Sequence, residues 1–503
     1  MGTPQMYCVS LACGSHSRMI EEYRQLMADH VPMVELRLDF LRREPDLPRL
    51  LSEKKSQIIV TCRKPEDGGL WRDSEDKRRK VLRQAIIDGV EYVDLEAETA
   101  RAVPRHGKTK RIVSYHNLTE TPEDLQAEWD RLAQCDPDII KIAVMPKRIR
   151  DVFRVFDLQK KNAGKIPTIA ISMGEIGFMT RVLAPKFGAP FTYSTFSSKR
   201  VIAPGLPTYK SLRDVYHFES IDEDTDVFGV VGDPIGHSLS PLIHNKSFVE
   251  AGMNRVYLPF LVHPEDLGDF FELATSIGVR GLSVTIPHKV AVLGRLTRCD
   301  PAVEEIGACN TVILDNYDRF GYNTDYAAAI LSIEAAMGGK TGELSPIKGC
   351  SALVLGSGGA GKALAYGLQV RGARVTVTDS DADRAFELAR QLGCNEVEWE
   401  MRHGYKFSIL ANCTPVGMHP NVDETPFEKS ALKEGMVVFD AVYNPENTLL
   451  IKNARAKGCI PVSGIEMFVG QACLQFRLFT GRPGSATLMR EILRNAISPV
   501  QYH

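Results

Sequence analysis

Eleven cysteines are scattered over the 503 residues without one CxxC pair. Isolated thiols in odd number exclude a disulfide framework and supply no zinc-ligand spacing. No metal is expected, and the compartment expected is the reducing cytoplasm. No run of eighteen apolar residues occurs, and Met1 to Ser10 lacks the charged and apolar regions of a signal peptide. Neither membrane insertion nor secretion is therefore expected, and a plastid location would require a leader that has been removed. Met6 stands where a myristoylation motif beginning Met1-Gly2 needs Ser or Thr. Charge of one sign is missing too, since 61 Lys and Arg face 63 Asp and Glu. A net charge of −2 gives no field to draw nucleic acid or an anionic membrane, so neither is expected as a partner. What is present is ordinary: 44% apolar and 25% charged residues describe a folded globular chain. Its length suits about three domains, or two if one is a large barrel.

Short apolar runs at 7–11, 33–39, 58–62, 92–96, 112–115, 139–144, 168–171 and 191–195 alternate with charged stretches of helical period such as 74–88 and 122–134. Eight strand-then-helix units in about 200 residues predict an α/β fold opening with a (β/α)₈ barrel. The basic cluster Lys77-Arg78-Arg79-Lys80 shares its helix with acids and reads as a solvated face. After a helix-like 209–217, the acidic stretch 219–226 reads as a solvated linker. A strand at 227–232 restarts the alternation, and the strand at 351–356 runs into a glycine-rich turn, so the back half is expected to be two-lobed.

In Val34-Glu-Leu-Arg-Leu-Asp39, Glu35, Arg37 and Asp39 share one side of a strand. Charges on an inner barrel face are costly unless paired or used at the C-terminal mouth, so a buried Glu35–Arg37 ion pair and a functional role are both open. Arg63 and His116 end two further strands, and Lys141 interrupts the apolar 138–144. Desolvation favours the uncharged amine, a nucleophile suited to Schiff-base chemistry.

These residues, with TCRKPEDGG, SYHN, DIIKIAV, SMGEIG and APG, resemble type I 3-dehydroquinate dehydratase over about 6–218. The resemblance implies that Lys141 forms an imine with the substrate ketone and that His116 moves the proton. It implies that Ser10, Glu35, Arg37, Arg63 and Arg181 hold hydroxyls and carboxylate. The family shows Ser or Thr before APG and Gln after it, where this chain has Ile202 and Leu206, and Asp67 stands for the usual Glu. At about 1.5 to 3 kcal/mol per lost hydrogen bond, the pair would weaken substrate binding by about two to four powers of ten. Compensation is expected from Ser197, Ser198, Lys199 or Arg200.

In the back half, Gly356-Ser-Gly-Gly-Ala-Gly361 follows a strand and opens a helix, the setting in which GxGxxG cradles a pyrophosphate. Ala363 removes the hydroxyl a P-loop needs. Asp379, about twenty residues on, can accept from an adenosine ribose and repels a 2′-phosphate. Ser238 and Ser240 supply two hydroxyls, Lys289 a cation, and Asp325 either a carboxylate or a helix N-cap.

GDPIGHSLSPLIHN, SVTIPHK, GYNTD, NCTPVGM, DAVYNP and GIEMFVGQA then resemble shikimate dehydrogenase over about 227–495. This implies a Lys289–Asp325 catalytic pair, with Ser238 and Ser240 on the substrate carboxylate and Thr285, Asn310, Tyr443 and Gln471 on the ring. Gly356, Ser357, Gly358, Gly359, Ala360, Ala441 and Gly464 would line the cofactor beside Asp379. NADP-using members carry Asn-Arg-Thr where this chain has Asp379-Ser380-Asp381, so NAD is expected over NADP, although Arg384 could reach a phosphate. The division expected is a barrel at 1–218, a linker at 219–226 and a dehydrogenase at 227–503. Within the last, 227–340 is a substrate lobe, 341–460 a Rossmann lobe and 461–503 returning helices. Small-molecule substrates are the partners implied, and the motifs are silent on oligomeric state. The order resembles the two-domain plant enzyme and implies two consecutive pathway steps. The alternative is a catabolic NAD-dependent shikimate or quinate dehydrogenase whose barrel is weakened, or serves as a sensor or scaffold.

Overall fold

A computed structural model describes residues 6–199, 202–315, 317–340 and 342–497. By contact density the chain forms two units. The first runs through Val227 and includes 234–236 and 252–279, and the second holds 228–233, 237–251 and 280 onward. Among the described residues no helix is long and apolar enough to cross a membrane.

The first unit contains the eight anticipated strands: β1 (Met6–Leu11), β2 (Met33–Arg37), β3 (Gln57–Thr61), β4 (Tyr92–Glu96), β5 (Lys110–Asn117), β6 (Ile139–Val144), β7 (Thr168–Ser172) and β8 (Phe191–Thr195). They pair in the order β7-β6-β5-β4-β3-β2-β1-β8, every registered pair parallel, so the sheet curls into a nearly closed barrel. Its interior follows the pleat. Cys8, Met33, Ile59, Tyr92, Ile112, Ile139 and Phe191 form an apolar floor. Two residues further along these seven strands stand Ser10, Glu35, Thr61, Asp94, Ser114, Lys141 and Tyr193, all buried, while β7 stays apolar with Ile169 and Ile171. A period of two therefore stacks a polar layer directly on an apolar one. β2 stops two residues earlier than the alternation suggested, because 38–40 turns as a 3₁₀ helix that carries Asp39 back to Arg37.

One surface reading is corrected. Arg78 of the basic cluster is only 1% exposed. From the helix Glu75–Ile87 it reaches the Cys62 carbonyl (2.6 Å), Glu96 (2.9 Å) and Thr99 (2.6 Å). In the acidic stretch Glu219, Asp222, Glu223 and Asp224 are exposed, as read, while its two less polar members turn inward. Ile221 and Thr225 are buried, and Asp222 accepts from Asn254 Nδ2 (2.8 Å) and Thr225 Oγ1 (3.1 Å).

Beyond it, β9 (Asp226–Gly232), β10 (Arg255–Leu261), β11 (Val279–Val284), β12 (Arg298–Cys299), β13 (Thr311–Asp315) and β14 (Asp318–Tyr322) form a sheet in the order β10-β9-β11-β13-β14-β12. A third sheet comprises β15 (Ser351–Leu355), β16 (Arg374–Thr378), β17 (Asn395–Glu396), β18 (Ile409–Asn412), β19 (Val437–Asp440) and β20 (Ile460–Val462). Its order β17-β16-β15-β18-β19-β20 and parallel pairs are those of a Rossmann sheet, with the switch point at β15. Ala352, Val354, Leu364, Leu368 and Phe439 lie in its core.

Candidate functional site

The polar layer of the barrel opens at the C-terminal strand ends into a cavity of about 310 Å³. Ser10, Glu35, Arg37, Arg63, His116, Lys141 and Arg181 all line it, so the sequence-expected set converges. Lys141 Nζ lies 2.9 Å from Asp94 Oδ2 and 4.2 Å from the centre of the Tyr193 ring. The same carboxylate oxygen is 2.8 Å from Arg63 Nη2, and Oδ1 accepts from Ser114 Oγ at 2.6 Å. Burial alone would raise the Asp94 carboxyl, but Arg63, Lys141 and His116 hold it well below the usual carboxylate range. His116, recessed in the cavity, is pushed well below the ordinary histidine value of 6.5 by burial and by Arg63 and Lys141. Its Nδ1 has no partner among the described residues. A neutral imidazole facing an amine is equipped to take a proton.

The Glu35–Arg37 pair does not form. Arg37 makes a bidentate pair with Asp39 (3.0 and 2.9 Å), while Glu35 accepts from Ser10 Oγ and from Thr61 Oγ1 (2.6 Å). Cross-strand neighbours stand about 4.8 Å apart and same-face residues of one strand about 7 Å, so Glu35 bonds sideways. Asp94, Glu96, Ser114 and Tyr193 were missed. Yet Asp94 and Glu96 in YVDLE carry the same charged alternation as VELRLD.

Arg181, on the helix Phe178–Val182, is 3% exposed, and its Nε has no partner among the described residues. Burial lowers it to about 10. A buried guanidinium with nothing opposite is a site for a planar anion. Ile202 and Leu206 line the mouth with Met145 and Met173, and Asp67 lies there 3.4 Å from Lys64 Nζ. The expected compensation is not seen: Ser197, Ser198 and Lys199 are not among the cavity's lining residues. Phe196 stacks on Tyr209, and Ser197 and Ser198 line a separate surface pocket with Gln25 and Asp29. Arg200 lies outside the described residues.

In the second unit, Lys289 Nζ lies 2.6 Å from Asp325 Oδ2. Asp325 is not the N-cap of its helix. Asn323 is, its Oδ1 accepting from the Asp325 and Tyr326 N–H groups, which leaves the Asp325 carboxylate for the lysine. Asn310 is buried behind this pair, holding Thr324 through its backbone N–H (2.7 Å) and hydroxyl (2.9 Å). Thr285 N–H donates to Val231 O beside the segment leading to Ser238, whose Oγ accepts from Ser240 N–H (3.3 Å). Tyr443 packs on Phe468 (4.8 Å between ring centres), and Gln471 donates to the Phe468 carbonyl.

The glycine turn fits a dinucleotide. Gly356 has φ +95°, a Cβ at Gly361 would lie 1.8 Å from Gly356 O, and one at Gly358 would meet open space. A Cβ at Gly359 would stand 3.6 Å from Lys289 Cδ, so the turn adjoins the Lys289–Asp325 pair. Ser357 Oγ is buried and unpartnered among the described residues, while Ser357 N–H donates to Asp379 Oδ2 (2.6 Å). Arg384 lies 3.4 Å from Asp381. Gly464 opens the helix Gly464–Thr480 against the carbonyls of Ala441 and Val442, where a Cβ would come within 2.7 Å of both.

Three family models match the chain: Type I 3-dehydroquinase over residues 7–223, the shikimate dehydrogenase substrate binding domain over 230–312, and the Shikimate 5'-dehydrogenase C-terminal domain over 464–494. A chloroplastic bifunctional 3-dehydroquinate dehydratase/shikimate dehydrogenase of Arabidopsis thaliana is 39% identical, over 97% of this chain and 84% of that protein. A shikimate dehydrogenase (NADP(+)) of Methanothermobacter thermautotrophicus is 38% identical over 54% of the chain and 98% of its own length. Among solved structures, a shikimate dehydrogenase in complex with NADP+ superposes with TM-score 0.51 at 31% identity, covering 55% of this chain and 98% of that one. The enzyme of Aquifex aeolicus gives 0.50 at 32% identity, covering 55% and 99%.

An unopposed buried cation stores instability. Arg181→Met should therefore raise the barrel's unfolding free energy by about 1 to 3 kcal/mol, read from urea unfolding, while removing its hold on an anionic ligand.

Proposed function

The chain belongs to the bifunctional 3-dehydroquinate dehydratase/shikimate dehydrogenase family, and from that premise we propose how its residues carry the two reactions. It is a lyase and an oxidoreductase in one polypeptide. 3-Dehydroquinate loses water to give 3-dehydroshikimate, which a nicotinamide cofactor then reduces to shikimate.

In the barrel, Lys141 Nζ adds to the substrate ketone and the carbonyl oxygen leaves as water, giving an imine. His116 takes a proton from the adjacent carbon and the electron pair moves toward the imine nitrogen. Its return expels the neighbouring hydroxyl, which departs as water with a proton from His116. Hydrolysis of the imine frees Lys141. Asp94, already against Lys141 Nζ, stabilises the nitrogen in the iminium stages, when it carries positive charge. Arg181 holds the carboxylate, and Ser10, Glu35, Arg37 and Arg63 the hydroxyls. The observation that carries this reading is the Lys141–Asp94–Arg63 cluster facing a neutral His116 in one cavity. With Ile202 and Leu206 in the mouth, the lost contacts appear in KM rather than in kcat.

In the second unit, Lys289 and Asp325 relay the hydroxyl proton of the substrate. Ser238 and Ser240 hold its carboxylate, and Thr285, Asn310, Tyr443 and Gln471 fix its ring. Gly356, Ser357, Gly358, Gly359, Ala360, Ala441 and Gly464 would hold the cofactor, which when bound supplies or accepts the hydride. NAD is preferred. Asp379, held by the Ser357 N–H, is set to accept from a ribose hydroxyl, and Asp381 engages Arg384, the nearby cation able to meet a 2′-phosphate. This chain thus departs from the relatives named for NADP+. Its domain division is the one given by the motifs, 1–218, 219–226 and 227–503, and its eleven free thiols support a reducing compartment such as the cytoplasm. A barrel kept only as sensor or scaffold is not favoured, because amine, base and buried acid are all in place and the whole-chain relative is named bifunctional.

Without nicotinamide, the purified chain should turn 3-dehydroquinate into a near-ultraviolet-absorbing enone. Lys141→Ala should abolish this signal and also the mass adduct that borohydride traps from the wild-type protein. The lowered His116 stays unprotonated as pH falls through 6.5, so the acid limb of dehydratase kcat/KM should lie below 6.5; a limb above it overturns the assignment of His116 as a neutral base. Michaelis constants with both cofactors should be at least tenfold lower for NAD than for NADP, and a lower NADP value refutes the preference.

A further inference from the structure

Asp440 ends β19 at 0% exposure and touches neither the expected substrate nor the expected cofactor. Its carboxylate accepts three hydrogen bonds from three directions. Asn412 Nδ2 at the end of β18 lies 2.9 Å from Oδ1, and Val442 N–H in its own segment 3.0 Å from the same oxygen. Thr448 Oγ1, the N-cap of the helix Leu449–Ala456, lies 2.6 Å from Oδ2. Resting on the dehydrogenase reading above, we propose that Asp440 is a positioning residue that fixes from one buried point both turns flanking the cofactor glycines.

The first turn follows β18. With its amide nitrogen bound to Asp440, Asn412 must present Oδ1 to the other side, where it accepts from Thr414 N–H (3.0 Å) and Thr414 Oγ1 (2.7 Å). Thr414 Oγ1 in turn accepts from Val416 N–H (3.2 Å). This turn backs onto the cofactor loop, since a Cβ at Gly356 would stand 3.0 Å from Thr414 Cγ2. The second turn follows β19. Asp440 holds it at Val442 and again at Thr448, and between them lies Tyr443, assigned to the substrate ring. The carbonyls of Ala441 and Val442 form the floor beneath Gly464.

All three partners donate to Asp440, so the ionised carboxylate satisfies the whole set, whereas a proton on Oδ2 would have to displace the Thr448 hydroxyl hydrogen that now points there. Burial pushes Asp440 up to about 6 against the lowering effect of Thr448, Val442 and Asn412. No charged side chain contributes to that shift, and the titratable neighbour is Cys413, whose thiol is itself pushed up by burial and by Asp440. Below about pH 6 the protonated acid can no longer accept from all three donors, and the two turns loosen. Lys289 and Asp325 set kcat, so the loosening belongs to KM.

The test follows shikimate oxidation against pH in the full chain, with the barrel's dehydratase activity as an internal control for folding. The unsubstituted chain should show KM for shikimate and cofactor rising below about pH 6. Asp440→Asn should raise both KM values at least tenfold at neutral pH, change kcat less than threefold, erase the acid rise in KM and leave the dehydratase untouched. Thr448→Val removes one bond that favours the charged form, so it should move the acid rise to higher pH. An Asp440→Asn protein with parental KM values, or a Thr448→Val protein with an unmoved acid rise, overturns the proposal. If Asp440→Asn disables only the dehydrogenase unit by unfolding it, the Thr448→Val profile decides. A parent chain that oxidises no shikimate with either cofactor overturns the dehydrogenase reading itself, and this inference with it.

Discussion

The buried carboxylate of Asp94 is the interaction on which the barrel site depends. Lys141, Arg63 and His116 crowd into one cavity whose mouth is lined by Met145, Met173, Ile202 and Leu206, and without an anion there the lysine and arginine charges would repel one another. Asp94 accepts from the lysine, the arginine and Ser114 at once, and stays ionised in spite of its burial because they surround it. Asp94 thus orients the amine, keeps Arg63 at hand for the substrate, and leaves His116 as the uncharged member of the group. Arg181 is the counterpart without an anion. The site is electrically complete only with a carboxylate in it.

The second unit reaches its geometry by another route. Lys289 and Asp325 come from the ends of different elements, and the structure frees the acid by giving the capping of its helix to Asn323. Asn310 then anchors Thr324, so the helix start cannot drift from the lysine. The glycine turn lies against the same lysine, a Cβ at Gly359 falling at van der Waals distance from Lys289 Cδ, while the turn itself closes because Gly361 has no Cβ to meet the Gly356 carbonyl.

The barrel was legible in the sequence because its signal is local: each short apolar run marks its own strand, and the charged stretches between them, such as 74–88 and 122–134, carry their own helical period. The positions of Lys141, His116 and Arg63 followed from charge placed where apolar side chains belong. Partnership was less legible. Glu35 and Arg37 alternate together, yet their partners come from neighbouring strands and from a 3₁₀ turn that alternation does not announce. Asp94 escaped notice because YVDLE reads as an ordinary strand until its neighbours in the closed sheet are known. Asp325 shows the same ambiguity from the other side, since a capping acid and a catalytic acid look identical before Asn323 is seen to take the cap.

Arg78 gives the barrel's outer layer a role beyond covering the sheet. Its guanidinium passes from an outer helix to Glu96, whose other oxygen meets Arg63 at 3.3 Å, so helix, strand and lining cation form one chain of charges. In many barrels the helical layer can vary or be exchanged while the strand ends keep the chemistry. Here the segment 75–87 is inherited together with the active site, and a chimera that borrows this helix from another barrel would have to carry the arginine at the same depth.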